Sequence, residues 1–100
     1  YPPGGFYRAH RDCVDDRRQA WPRRVSAVLF LTHADRGGGA DGRCEGGSLR
    51  LYGVVDPVRE MVPLDISPVT GRLIAFRSHV LHEVLPVTAG VRDAIVDWFF

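Results

Sequence analysis

The chain has 100 residues, 45% of them hydrophobic and 25% charged, and a formal net charge of +1. That composition belongs to one ordinary globular domain with a single modest core, not to a disordered segment. Near-neutral charge argues against nucleic acid or an anionic membrane as the main partner. No apolar run approaches the roughly 20 residues needed to span a bilayer.

The opening stretch YPPGG is turn-like, with two prolines and two glycines. It leads into a strand expected over 6–12, whose alternate positions Phe6, Arg8, His10 and Asp12 would share one face. Residues 13–24 are polar and charged and read as a surface connection. Val25–Thr32 is continuously apolar and rich in β-branched residues, as in a buried strand. The run HADRGGGADGRCEGG that follows is too rich in glycine and charge to be regular, and His33 in it should be exposed.

Ser48–Tyr52 alternates, with Leu49 and Leu51 on one face. Pro63 interrupts the apolar stretch around 61–64, which makes it an edge strand at best. SPVTG is a turn and Arg72–Phe76 a strong strand. His82–Val87 is a short strand, VTAG the last turn, and Arg92–Phe100 the closing strand. No helical periodicity of useful length occurs. Short strands separated by turn signals imply an all-β sandwich or barrel.

The two cysteines, Cys13 and Cys44, are too few for a disulfide framework. Cys13 directly follows Asp12 but faces the other side of its strand, and reads as a small buried residue rather than a zinc ligand. The chain opens at Tyr1 without an initiator methionine and closes inside Trp98-Phe99-Phe100. It therefore reads as one domain, 1–100, a catalytic core truncated at both ends.

His10 and Asp12, two positions apart on a strand, present an imidazole and a carboxylate side by side. With a distant histidine they would make a 2-His-1-carboxylate metal site. His82 is the preferred partner. His79, three residues earlier, is the rival and is expected on the surface. Arg92 shares its face with Ala94, Val96 and Trp98, so its cation points inward and requires an anion there. It follows His82 by ten residues, across what reads as one tight turn onto a neighbouring strand. A guanidinium fork suits two-point recognition of a carboxylate. Ligand identity alone leaves the metal open, because zinc, nickel and copper bind such sites at least as tightly as Fe(II).

At this point the chain resembles the Fe(II)/2-oxoglutarate dioxygenases of the prolyl hydroxylase type. Tyr1, Gly4, Tyr7, His10 and Asp12 match that family's Y-x-x-G-x-x-Y-x-x-H-x-D run. Gly46-Gly47-Ser48-Leu49 resembles its GG-x-L segment, and Gly71–Phe76 the strand before its distal histidine. His82-Glu83-Val84 with Pro86-Val87 matches H-x-V followed by P-V, and Arg92 with Trp98 its R-x5-W. In HEV and RLIAF the chain most resembles the intracellular prolyl hydroxylases acting on hypoxia-inducible factor.

The resemblance implies a double-stranded β-helix, or jelly roll. It also implies Fe(II) on His10, Asp12 and His82, with Arg92 holding the distal carboxylate of 2-oxoglutarate. Val28, Leu49, Val84 and Trp98 would line the co-substrate pocket, and Tyr1 would touch the co-substrate. Molecular oxygen is the second co-substrate and ascorbate a further expected requirement. The expected reaction is hydroxylation of a prolyl residue in a protein or peptide, with release of succinate and CO2, in an intracellular (cytoplasmic or nuclear) setting. Phe30 departs from the pattern: it stands where the hypoxia-factor enzymes carry a Tyr touching that carboxylate, leaving Thr32 or a water to compensate. Tyr7 is read equally as a core residue or a site residue. Other readings are an oxygenase acting on a small molecule or another side chain, a zinc or cupin-like jelly-roll enzyme, and a non-catalytic binding module.

Overall fold

The computed structural model describes residues 1–13, 24–34 and 43–100. The surface connection expected after Cys13 and the tip of the glycine-rich run therefore lie largely outside the described residues. Among the described residues ten strands follow in order: β1 (Tyr7–His10), β2 (Val25–Phe30), β3 (His33–Ala34), β4 (Arg43–Gly46), β5 (Leu49–Tyr52), β6 (Pro63–Ile66), β7 (Leu73–Arg77), β8 (His82–Val84), β9 (Val87–Gly90) and β10 (Ala94–Phe99). No helix occurs among the described residues.

The strands form three sheets, ordered β1-β8-β5-β6, β10-β2-β7 and β3-β4-β9. The first two face each other. Val28 and Phe30 on β2 and Phe76 on β7 meet Leu49 and Leu51 on β5 in one buried cluster. Alternation explains the choice: i, i+2 positions on β2 and β5 point to the same side, and that side is apolar. This is an all-β jelly roll: the strand pattern implies the all-β sandwich and the resemblance the jelly roll.

Register turns this sandwich into a site. Across β10-β2-β7, Trp98 lies opposite Ser26 and Ser26 opposite Phe76; Val96, Val28 and Ile74 form the next inward row. In the facing sheet His10 lies opposite His82 and His82 opposite Leu51, while Tyr7, Val84 and Leu49 form the neighbouring row. Pro63 sits on β6, at the sheet edge, where its missing N–H is harmless.

Several expectations need correction. The strand expected over 6–12 is shorter, and its register shifts between Tyr7 and His10: three steps along β1 answer two along β8. That bulge puts Tyr7, not Arg8, on the side of His10. VTAG is not a turn but strand β9, and Cys44, itself buried, lies not in a loop but on β4, to which β9 pairs. The glycines serve close backbone approach. A Cβ at Gly46 would stand 2.4 Å from the Pro86 carbonyl oxygen, and one at Gly90 2.4 Å from that of Arg43. His82–Val87 is split into β8 and β9 around Leu85 and Pro86. Arg92 is consequently not on a strand neighbouring His82: it lies just before β10, which begins at Ala94 and not at Arg92, and the chain passes through the third sheet before reaching it.

Candidate metal centre and co-substrate pocket

His10 closes β1 and His82 opens β8, directly opposite each other in the antiparallel pair. Asp12 lies just beyond β1, where the N–H groups of Asp12 and Cys13 both donate to the Ser78 carbonyl, at 2.9 and 3.0 Å. Asp12 Oδ1 stands 3.2 Å from His10 Nε2 and 3.6 Å from His82 Nε2. One ligand atom from each of the three residues lies within 4.8 Å of the others. The ring nitrogens are sorted by their outer partners: Nδ1 of His10 is 2.8 Å from the Arg8 carbonyl and Nδ1 of His82 is 2.9 Å from that of Val80. A carbonyl only accepts, so each Nδ1 carries a proton, and in the neutral imidazole each Nε2 keeps its lone pair for a ligand. Two imidazoles and one carboxylate converging in this way suit a divalent metal, Fe(II) included.

Electrostatics agree with that use. Burial pushes the Asp12 carboxyl up, but hydrogen bonds from Ser26 and Trp98 and the nearby His82 and His10 outweigh it, so its pKa falls below the ordinary 3.8. Burial dominates at His82 and lowers its pKa below 6.5, against the opposing pull of the Val80 carbonyl and Asp12. The neutral imidazole, the form that ligates, is the favoured one.

Above these three residues opens a cavity of about 730 Å³, within the usual size of a small-molecule site. Arg92 lies in its wall, only 4% exposed. Its Nε donates to the Gly47 carbonyl at 2.7 Å, and its guanidinium carbon lies 5.3 Å from the Phe30 ring centre and 5.4 Å from that of Tyr1. Among the described residues no carboxylate pairs with it. Burial lowers its pKa accordingly. A buried guanidinium so placed calls for an anion entering from the cavity.

A family profile, "2OG-Fe(II) oxygenase superfamily", matches residues 1–100. The chain belongs to the 2OG-Fe(II) oxygenase superfamily. Two "PKHD-type hydroxylases" of Synechococcus sp., strains JA-2-3B'a(2-13) and JA-3-3Ab, are each 31% identical to this superfamily member over 100 residues, covering 98% of it. A solved prolyl-4-hydroxylase of Pseudomonas putida is 44% identical over 99% of the chain, with a TM-score of 0.69. A prolyl hydroxylase from Trichoplax adhaerens, solved in complex with a hypoxia inducible factor oxygen degradation domain peptide fragment, is 31% identical over the whole chain, with a TM-score of 0.70. The chain spans 39% of the length of the curated relatives and 46% and 40% of these two structures.

The structure puts all the sequence-selected residues around one space: His10, Asp12 and His82 on one side, Arg92, Tyr1, Val28, Leu49, Val84 and Trp98 around the rest. His79 and His33 are exposed and stand apart from the cluster. Thr32 does not take over for the Tyr that Phe30 replaces. Its hydroxyl accepts the Asp93 N–H at 3.1 Å and lies 3.8 Å from Cys44 Sγ, outside the cavity wall. Tyr7 is not a core residue: 49% exposed, it lies 4.2 Å from His10, ring centre to ring centre, in the wall of the cavity. Sequence reasoning missed Arg11 and Ser26, which also line it. For Ser26 the available signal was a hydroxyl on the inward face of an otherwise apolar strand.

Proposed function

We propose that this chain is the catalytic core of an Fe(II)- and 2-oxoglutarate-dependent dioxygenase that hydroxylates a prolyl residue in a protein or peptide. His10, Asp12 and His82 would hold the iron. Arg92 binds the distal carboxylate of 2-oxoglutarate, with Tyr1, Val28, Leu49, Val84 and Trp98 around the co-substrate. The observation that carries this reading is the pairing, in one cavity, of the His–Asp–His cluster with a buried arginine that has no carboxylate among the described residues.

Bound iron supplies the redox chemistry by which one oxygen atom of O2 enters the substrate C–H bond and the other enters succinate as 2-oxoglutarate loses CO2. The chain's own residues do the rest. The Nδ1–H groups of both histidines are tied to backbone carbonyls, so both Nε2 lone pairs stay aimed inward. Arg92 fixes one end of a dicarboxylate by a charge-assisted fork and so sets the direction in which its keto acid end points. Val28, Leu49 and Val84 exclude water from the middle of the cavity and strengthen that ion pair. Support for a prolyl substrate comes from the relatives, whose names describe prolyl hydroxylases and, in one case, a bound peptide fragment. Ascorbate as an auxiliary reductant belongs to the same proposal.

The test is 2-oxoglutarate turnover to succinate with a panel of proline-containing peptides, followed by mass spectrometry for a gain of one oxygen atom on proline. Succinate released in step with a hydroxylated prolyl product is the expected result. Turnover indifferent to 2-oxoglutarate and abolished by zinc removal would favour the zinc jelly-roll reading instead.

A further inference from the structure

We propose that Ser26 and Trp98, backed by Ser78, are positioning residues that hold Asp12 as a one-oxygen ligand, an inference that rests on reading His10, Asp12 and His82 as a metal centre. The two oxygens of Asp12 have different neighbours. Oδ1 faces His10 Nε2 and His82 Nε2 at 3.2 and 3.6 Å. Oδ2 accepts the Ser26 hydroxyl at 2.5 Å and the Trp98 indole N–H at 3.2 Å. A free carboxylate takes a metal through one oxygen or through both. Two donors on Oδ2 occupy its lone pairs and fix the plane of the group, so Oδ1 alone is offered.

The clamp has its own support. The single Ser26 proton goes to Oδ2, so at the 3.0 Å contact between the serine hydroxyls Ser78 is the donor. Ser26 is 0% and Ser78 1% exposed, and such buried hydroxyls are tolerated only when hydrogen-bonded. In a chain of this kind each hydrogen bond polarises the next. The Ser78 carbonyl meanwhile holds the backbone N–H of Asp12 and of Cys13. Backbone and side chain of the ligand are thus tethered to the same residue. Strand register does the placing, since Ser26 lies directly opposite Trp98 on β10. Packing alone would ask for an apolar residue at position 26, in line with Val28 and Phe30 on the inward face.

The consequence is coordinative: Asp12 takes one position on a bound metal instead of two, leaving the others for ligands from the cavity. The test loads the whole protein with Mn(II) and records infrared difference spectra, loaded minus metal-free, for the wild type, Ser26→Ala, Ser26→Thr and Trp98→Phe. The antisymmetric and symmetric carboxylate stretches are widely split for a one-oxygen ligand and close together for a chelating one. Wild type should show the wide splitting. Ser26→Ala should narrow it and weaken Mn(II) binding about 10- to 100-fold, the usual effect of losing an outer partner. Ser26→Thr keeps the hydroxyl and should restore both, and Trp98→Phe, which loses only the longer bond, should narrow the splitting less. Unchanged splitting in Ser26→Ala and Trp98→Phe overturns the proposal, and Trp98→Phe alone decides if Ser26→Ala does not fold. A wild type that takes up no Mn(II) removes the metal-centre reading, and this proposal with it.

Discussion

At one end of the cavity the Asp12 charge is fully answered: two hydrogen bonds reach one oxygen and two imidazoles flank the other. At the opposite end Arg92 is the more deeply buried of the two, yet it has one backbone carbonyl, two aromatic faces and no carboxylate among the described residues. The first end is built to be rigid before anything binds. The second is left electrically incomplete, so that an incoming anion supplies the missing charge. A cavity made this way would bind a metal and an anion by separate means, and the two ends should be breakable independently.

The largest effect is expected at the rigid end. Replacing His10, Asp12 or His82 by Ala should abolish 2-oxoglutarate-dependent succinate release and Mn(II) uptake, while circular dichroism shows the β fold retained. His79→Ala should leave both intact, because His79 is exposed and lies outside the cluster. Activity surviving in His82→Ala would break the assignment outright.

The incomplete end comes next. Charge-assisted hydrogen bonds are worth on the order of 1.5–3 kcal/mol each, and a guanidinium fork makes two. Arg92→Ala should therefore weaken 2-oxoglutarate binding by about 3–5 kcal/mol, roughly 10²- to 4 × 10³-fold, with Mn(II) affinity unchanged. Arg92→Lys keeps charge without the fork and should fall between. Titration of the Mn(II)-loaded proteins with 2-oxoglutarate in the absence of oxygen measures the co-substrate affinities, and titration of the metal-free proteins with Mn(II) measures the metal affinity. Parallel loss of metal affinity would mean the two ends are not separate.

Much of this contrast is legible in the chain itself. Alternation along Leu49–Tyr52 and Ala94–Phe99 announces which faces are inward, and Arg92 in step with Ala94, Val96 and Trp98 announces a buried cation. What is not legible depends on partners distant in sequence. The β1 bulge exists only in register with β8, so nothing in FYRAHRD alone puts Tyr7 rather than Arg8 beside His10. Glycines that read as loop punctuation around Cys44 and in VTAG instead let β4 and β9 come close. A serine inside VSAVLF carries no hint of its carboxylate until β2 is set against β10 and the Asp12 turn.

A smaller effect should come from the residue that seats Arg92. Gly47 has φ of +71°, and a Cβ there would stand 2.8 Å from Arg92 Cδ and 3.2 Å from Val87 Cγ2. Gly47→Ala should cost about 1–2 kcal/mol of stability through the left-handed backbone alone. It should also push the guanidinium aside and weaken 2-oxoglutarate roughly tenfold, a fraction of the Arg92→Ala loss. Thermal unfolding and the same anaerobic titration separate the two consequences. A stability loss with no change in 2-oxoglutarate affinity would mean that Arg92 keeps its place without Gly47.

The subtlest difference between the ends is their response to acid in the metal-free protein. Burial lowers the His82 pKa below its ordinary 6.5, so between that value and the lower folded-state one the unfolded chain takes up a proton that the folded chain refuses. Its contribution to stability is complete above pH 6.5 and declines as the pH falls towards the folded-state value. Asp12, lowered from 3.8, acts in the same direction only in more acidic solution. Arg92 keeps its charge throughout this range, so the incomplete end contributes no slope. Thermal unfolding of the metal-free protein should therefore show stability lost on acidification below pH 6.5 and before Asp12 titrates. His82→Gln, which cannot take up a proton there, should show a shallower loss. Equal slopes in the two proteins would mean that the acid response arises elsewhere and that burial of His82 is not what keeps its imidazole neutral.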